Sequence, residues 1–117
     1  MISDLGRVLG KYGFIVYSAP YSLREIDCIV EKDDFFVLVQ ICKTCDMKDL
    51  EQVLIGAKKY KETENIEPNA LVIFSYTGEI HHEVLDEAKK KGIIVENNIR
   101  KLAKRLLALT KERKNTQ

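Results

Sequence analysis

Residues 35–42 read Phe-Phe-Val-Leu-Val-Gln-Ile-Cys, apolar at every position except Gln40. A strand with one wet face alternates apolar and polar residues. This run does not, so it predicts a central strand covered by helices on both faces. The preceding run, 26–31, is Ile-Asp-Cys-Ile-Val-Glu, and the polar Lys32, Asp33 and Asp34 lie between the two. The pattern predicts a β-hairpin closed by a tight turn. An acid, Asp27, opens the first strand, and a lysine, Lys43, closes the second. An ammonium at the end of an oily strand needs an acid, a phosphate or water. If Asp27 and Lys43 meet at one sheet edge, they are positioned to hold a metal ion and the water it activates.

The rest of the chain supplies layers around that hairpin. Leu5, Val8, Leu9 and Tyr12 recur at three- and four-residue spacing, which predicts an amphipathic helix capped by Ser3 or Asp4 and ended by Gly13. Residues 14–18 predict a strand, and Pro20 breaks the loop that follows. After Lys43, Thr44 or Asp46 is placed to cap a helix reaching Thr63, with Leu50, Val53, Leu54 and Ala57 inward and Asp49 complementing the dipole. A second continuous apolar strand is expected at 70–75, a helix at 79–91 stopped by Gly92, and a short edge strand at 93–95. Asn97 or Asn98 caps a last helix whose Leu102, Ala103, Leu106, Leu107 and Leu109 make a broad apolar face. The order α-β-β-β-α-β-α-β-α predicts a single α/β domain over 1–110 and a polar tail over 111–117. A strand, helix and strand in succession imply a parallel crossover, so the central sheet is mixed and flanked by helices.

A chain of 117 residues, 45% hydrophobic, buries one modest core. With a formal net charge of +1, attraction to nucleic acid has to come from local patches. Lys58 and Lys59 on one helix and Arg100 and Lys104 on the last are the DNA-binding candidates, although each cluster also suits a solvated helix face. No apolar run approaches the roughly 20 residues that cross a bilayer, and the N-terminus carries acid and glycine where a signal peptide needs an apolar core. A soluble, cytoplasmic protein with no membrane partner is expected. Three cysteines, Cys28, Cys42 and Cys45, suit a reducing compartment. Cys42-Lys-Thr-Cys45 is a CxxC, which serves either as half of a zinc site or as the redox pair of a thioredoxin-like domain. No second CxxC or CxxH follows it.

The element order, with Asp27 on one strand and Lys43 ending the next, resembles the PD-(D/E)XK nuclease superfamily, whose fold is restriction-endonuclease-like. Leu9-Gly-Lys-Tyr-Gly-Phe14 before a strand, then Ile26-Asp27 and a hairpin, is similar to archaeal Holliday junction resolvases. Leu54-Ile-Gly-Ala57 and Lys91-Gly-Ile93 are similar to Mrr-type restriction endonucleases, which carry Gln-x-Lys at the active site. The resemblance implies a magnesium-dependent endodeoxyribonuclease, with manganese as the substitute ion, acting on double-stranded or branched DNA. It implies Asp27 and Gln40 as metal ligands and Asp27, Gln40 and Lys43 as the catalytic set, the lysine orienting or deprotonating the attacking water.

The match is incomplete. Aligned on Lys43, Ile41 stands where the glutamate or glutamine belongs, with Gln40 one residue early. In a regular strand Ile41 and Lys43 share a face and Gln40 points away. A bulge at Ile41 would return Gln40 to the face of Lys43. A regular strand would leave a degenerate site and a nucleic-acid-binding descendant with impaired or lost catalysis. The resolvases' N-terminal glutamate falls near Ile2, with Asp4 the nearest acid, and Glu25 and Glu31 are the reserve carboxylates. A non-catalytic scaffold or partner-binding subunit of the same fold is the alternative, and the broad stripe of the last helix points to a homodimer.

Overall fold

The computed structural model describes residues 2–115, with side chains through residue 112. Its elements are α1 (Ile2–Gly10), β1 (Ile15–Ser18), β2 (Cys28–Lys32), β3 (Phe35–Cys45), α2 (Met47–Glu64), β4 (Ala70–Ile80), α3 (His82–Lys91), β5 (Ile94–Glu96) and α4 (Ile99–Asn115). One sheet takes the five strands in chain order, β1-β2-β3-β4-β5. β1, β2 and β3 are antiparallel neighbours, while β3–β4 and β4–β5 are parallel, so the sheet is mixed as expected.

The hairpin forms as its sequence dictates. Lys32 pairs with Phe35 across a two-residue turn in which Asp33 adopts φ 57°, a left-handed conformation that Asp tolerates because its short side chain bonds locally. β3 is then buried on both faces: Val37, Leu38 and Val39 are each 0% exposed. Val37 and Val39 join Cys28, Val30, Val72 and Phe74 under α1 and α4, which contribute Leu5, Leu9, Leu102, Ala103 and Leu106. Leu38 joins Ile29 and Ile73 under α2 and α3, which contribute Leu50, Val53, Val84 and Ala88. Each such side chain stabilises the fold by about 1.5–3 kcal/mol relative to exposure, so both helical layers are needed to cover the sheet.

Of the two caps proposed for α2, Asp46 is the one used. Its Oδ1 accepts the N–H groups of Lys48 at 3.0 Å and Asp49 at 3.2 Å, and Asp49 Oδ2 accepts the Asp46 N–H at 2.9 Å. Thr44 is instead the penultimate residue of β3. The Asp49 N–H holds the Asp46 carboxyl below its usual range, whereas burial pushes Asp49 up.

Several boundaries differ from the sequence expectation. β3 runs on to Cys45 and β4 to Ile80, so Glu79 and Ile80 are strand and α3 starts only at His82. Gly78, at φ 90°, lets β4 bend and resume pairing at Thr44↔Glu79 and Cys45↔Ile80. Asp27 precedes β2 by one residue instead of lying within it. α4 continues through Asn115, past the expected end at Thr110, and residues 116–117 of the expected tail lie outside the described residues. Leu106 is fully buried, and Leu107 and Leu109 pack on the α1/α4 core, so the last helix uses its stripe within the chain.

Candidate active site

Asp27 sits where the β2–β3 ladder ends. Its N–H donates to the Val39 carbonyl at 3.0 Å, its carbonyl accepts the Ala19 N–H at 3.1 Å, and its Oδ2 accepts the Ile41 N–H at 2.7 Å. The half-buried carboxylate stands in for a backbone carbonyl at that point, satisfying a strand N–H that has left the ladder.

The register around Ile41 bears on the two readings of the motif. Gln40 pairs with Ile73, Ile41 with Phe74 and Cys42 with Ser75 without interruption. The shift falls between Cys42 and Thr44, where four steps on β4 (75 to 79) face two on β3 (42 to 44). The irregularity is therefore beyond Ile41, and the extra residues belong to β4. Ile41 packs on the α1/α4 core, whereas the Gln40 side chain faces the Asp49 carboxyl of α2 on the other side of the sheet. No hydrogen bond joins Asp27 to Gln40 among the described residues.

Lys43 is exposed at the register break. Its carbonyl accepts the Ser75 hydroxyl at 2.9 Å and the Thr77 hydroxyl, and Ser75 Oγ in turn accepts the Gly78 N–H at 3.1 Å. Thr44 donates to Glu79 at 3.1 Å. These side chains tie the bent end of β4 to β3 and fix the backbone of Lys43. No ion pair joins Lys43 to Asp27 among the described residues.

The reserve acids are committed elsewhere. Asp4 lies 3.7 Å from Arg7. Glu31, at the far end of β2, accepts the Tyr17 hydroxyl at 2.9 Å, and the Tyr17 pKa rises to about 12 through burial and that bond. Glu25 is paired with Lys59, whose ammonium holds its carboxyl below the usual range. Magnesium and manganese take several oxygen ligands. Asp27 offers one carboxylate, already bonded to Ile41, and belongs to no group of three His, Cys, Asp or Glu donors among the described residues.

The basic candidates separate by face. Lys58 and Lys59 belong to α2, Arg100 and Lys104 to α4, across the sheet from it. Arg100 borders an open cleft of about 390 Å³ with Val8, Phe74, Tyr76, Asn97 and Asn98, beside the strand that pairs with Ile41. Asn98 caps α4 there, its Oδ1 accepting the Lys101 N–H at 3.0 Å.

No protein-family model matches the chain, and no curated protein matches its sequence. Among solved structures it is similar to a repair endonuclease from Pyrococcus abyssi, with a TM-score of 0.62 and 12% identity over 79% of this chain. The fold is restriction-endonuclease-like. The match spans 41% of that endonuclease's length, and identity this low speaks to the fold alone. No helix among the described residues is long and apolar enough to cross a membrane.

The sequence reading gave Ser75 and Thr77 no role. A serine ending an apolar strand, followed by Tyr-Thr-Gly, is the signal for them. The CxxC closes on itself as a disulfide between Cys42 and Cys45, with Cα atoms 5.4 Å apart, inside the range that a disulfide spans. Both sulfurs are buried, unlike the exposed nucleophilic sulfur of a redox dithiol, which weighs against the thioredoxin-like reading. Cys28 is buried in the opposite layer, and burial, reinforced by the Asp27 charge, pushes its thiol up to about 12.

Proposed function

We propose that this chain is a nucleic-acid-binding domain built on the nuclease fold, with metal-dependent cleavage weak or lost. The observation that supports this reading is that Ile41, two residues before Lys43, packs its side chain on the α1/α4 core, while Asp27 beside it already accepts the Ile41 N–H. Phosphodiester cleavage by a metal-activated water needs a second oxygen ligand at that point.

Binding rests on α4. Arg100 and Lys104 are exposed one turn apart, and Arg100 borders the open cleft. Lys59 is engaged by Glu25, so the α2 pair is the weaker candidate. An endonuclease neighbour with this fold favours a nucleic-acid ligand, and double-stranded or branched DNA is the class to test.

The experiment is a fluorescence-anisotropy titration of the full chain with duplex and four-way-junction DNA across a salt series, run beside a cleavage assay in magnesium and in manganese. Affinity should fall with salt at a log–log slope of about −0.9 per phosphate contacted, and Arg100→Gln with Lys104→Gln should flatten that slope. Salt-independent association, or none, would turn the reading toward a protein-binding subunit. Robust cleavage dependent on Asp27 and Lys43 would restore the nuclease.

A further inference from the structure

The strongest constellation of metal-ligating groups in the described residues lies across the sheet from Asp27. Cys42 and Cys45 of β3 and Asp49 of α2 each offer a donor atom, and the three atoms lie within 4.8 Å of one another. Cys42 is 7% exposed, Cys45 is 0% exposed and Asp49 is half-buried. Cys45, three residues on from Cys42, lies in the same layer under α2 and α3, where strict alternation would have sent it to the other face.

We infer that, with its dithiol reduced, the chain binds zinc through Cys42, Cys45 and Asp49. Two thiolates and one carboxylate are the donor types of zinc, not of magnesium. Ligands about 2.0–2.3 Å from a tetrahedral ion lie roughly 3.3–3.8 Å from one another; the Asp49 carboxylate already lies within 4.8 Å of both sulfurs, and the sulfurs, joined in the disulfide, have to move apart once it is reduced. The cluster also sits at the first turn of α2, whose N-terminal dipole offsets the net negative charge of a zinc ion with three anionic ligands.

The surrounding bonds fit a second shell. Asp49 Oδ2 accepts the Asp46 N–H at 2.9 Å, and the Gln40 amide faces the same carboxyl. Gln40 is thus a positioning residue that orients the carboxylate. Cys42 Sγ lies 3.5 Å from the Phe74 carbonyl oxygen, a contact that becomes a hydrogen bond only when the sulfur carries a proton, so the free thiol is accommodated too. The fourth position is left for water. Opening the site consumes one equivalent of an external dithiol, which reduces the Cys42–Cys45 bond to two thiols and is itself oxidised to a cyclic disulfide. Zinc then displaces two protons, one from each thiol, to the buffer.

The test uses the full chain, reduced with excess dithiothreitol, desalted anaerobically and titrated with cobalt(II) as a spectroscopic probe and then with zinc. The expected result is one cobalt per chain with a thiolate-to-cobalt charge-transfer band, displaced by zinc. Cys42→Ser or Cys45→Ser should abolish the band, Cys28→Ala should leave it intact, and Asp49→Asn should keep the band but weaken affinity tenfold or more. Wild-type protein gives a measurement independent of any variant's folding: zinc should protect two of its three thiols from alkylation. Absence of a charge-transfer band in reduced wild type, or alkylation unchanged by zinc, overturns the site. An Asp49→Asn affinity equal to wild type overturns the three-ligand assignment.

Discussion

The Ile41 backbone N–H points at Asp27 Oδ2 across 2.7 Å, so the acid that precedes β2 is bound to the residue at which a second metal ligand would stand. Asp27→Ala should leave that part-buried N–H without its partner and cost about 1–3 kcal/mol. Asp27→Asn keeps an acceptor and should cost less. Urea denaturation of the three proteins tests the order. Equal stability of the alanine variant would mean that the N–H finds water without loss.

Ile41→Glu places a carboxylate two residues before Lys43, at the position whose N–H Asp27 Oδ2 accepts. Cleavage of junction or duplex DNA in magnesium or manganese should appear or rise above wild type. Stability should drop, because Ile41 now packs on the α1/α4 core and an ionised group there loses hydration. Pairing the variant with Lys43→Ala separates gained chemistry from contamination: any new activity should vanish in the double variant.

Gly56 packs α2 directly against the loop before β2. A Cβ there would lie 2.6 Å from two carbons of buried Ile26 and 3.3 Å from the Cβ of Glu25. Helix propensity alone favours alanine over glycine by about 1 kcal/mol. Overpacking costs about 1–3 kcal/mol and should win, so Gly56→Ala should lower the midpoint of thermal unfolding and Gly56→Val should lower it further. A raised midpoint for alanine would show that Ile26 yields easily.

Cys28 links stability to alkaline pH. Its thiol rises from 9.0 to about 12 in the folded state, chiefly by burial. Above pH 9.0 the unfolded chain sheds this proton while the folded chain keeps it, so its stabilising effect is full below pH 9.0 and is lost as pH rises toward 12. The loss should approach about 1.4 kcal/mol per pH unit within that window. Other groups titrate there as well, so the measurement is the difference between wild type and Cys28→Ala in denaturant unfolding from pH 8 to 11. Parallel curves would remove the linkage.

The sheet and its layers were legible because burial on two faces writes itself as continuous apolar runs, as at Phe35, Val37, Leu38 and Val39. The hairpin was legible because Asp33 and Asp34 allow few other conformations. The site was only half legible. Strand alternation correctly sends Ile41 and Gln40 to opposite faces, but nothing local says that Asp27 will bond Ile41 or that Gln40 will meet Asp49. Those are contacts between segments, fixed by the docking of β2 and α2 on β3. The end of β4 was misread for a related reason: Tyr76, Thr77 and Gly78 have loop-like composition, and they stay in the strand because Ser75 and Thr77 fasten them to the Lys43 carbonyl.

Because the sheet order copies the chain order, no strand has to be inserted between two that are already paired. During synthesis the β1–β2–β3 meander can close as soon as the Asp33–Asp34 turn has emerged, whereas β4 arrives only after the whole of α2. In that interval β3, the most apolar strand, presents an open hydrogen-bonding edge to its surroundings. A nascent chain stalled before Ala70 is therefore the form most exposed to edge-to-edge association with its own copies, and the delay imposed by the α2 crossover sets how long the cell must shelter it.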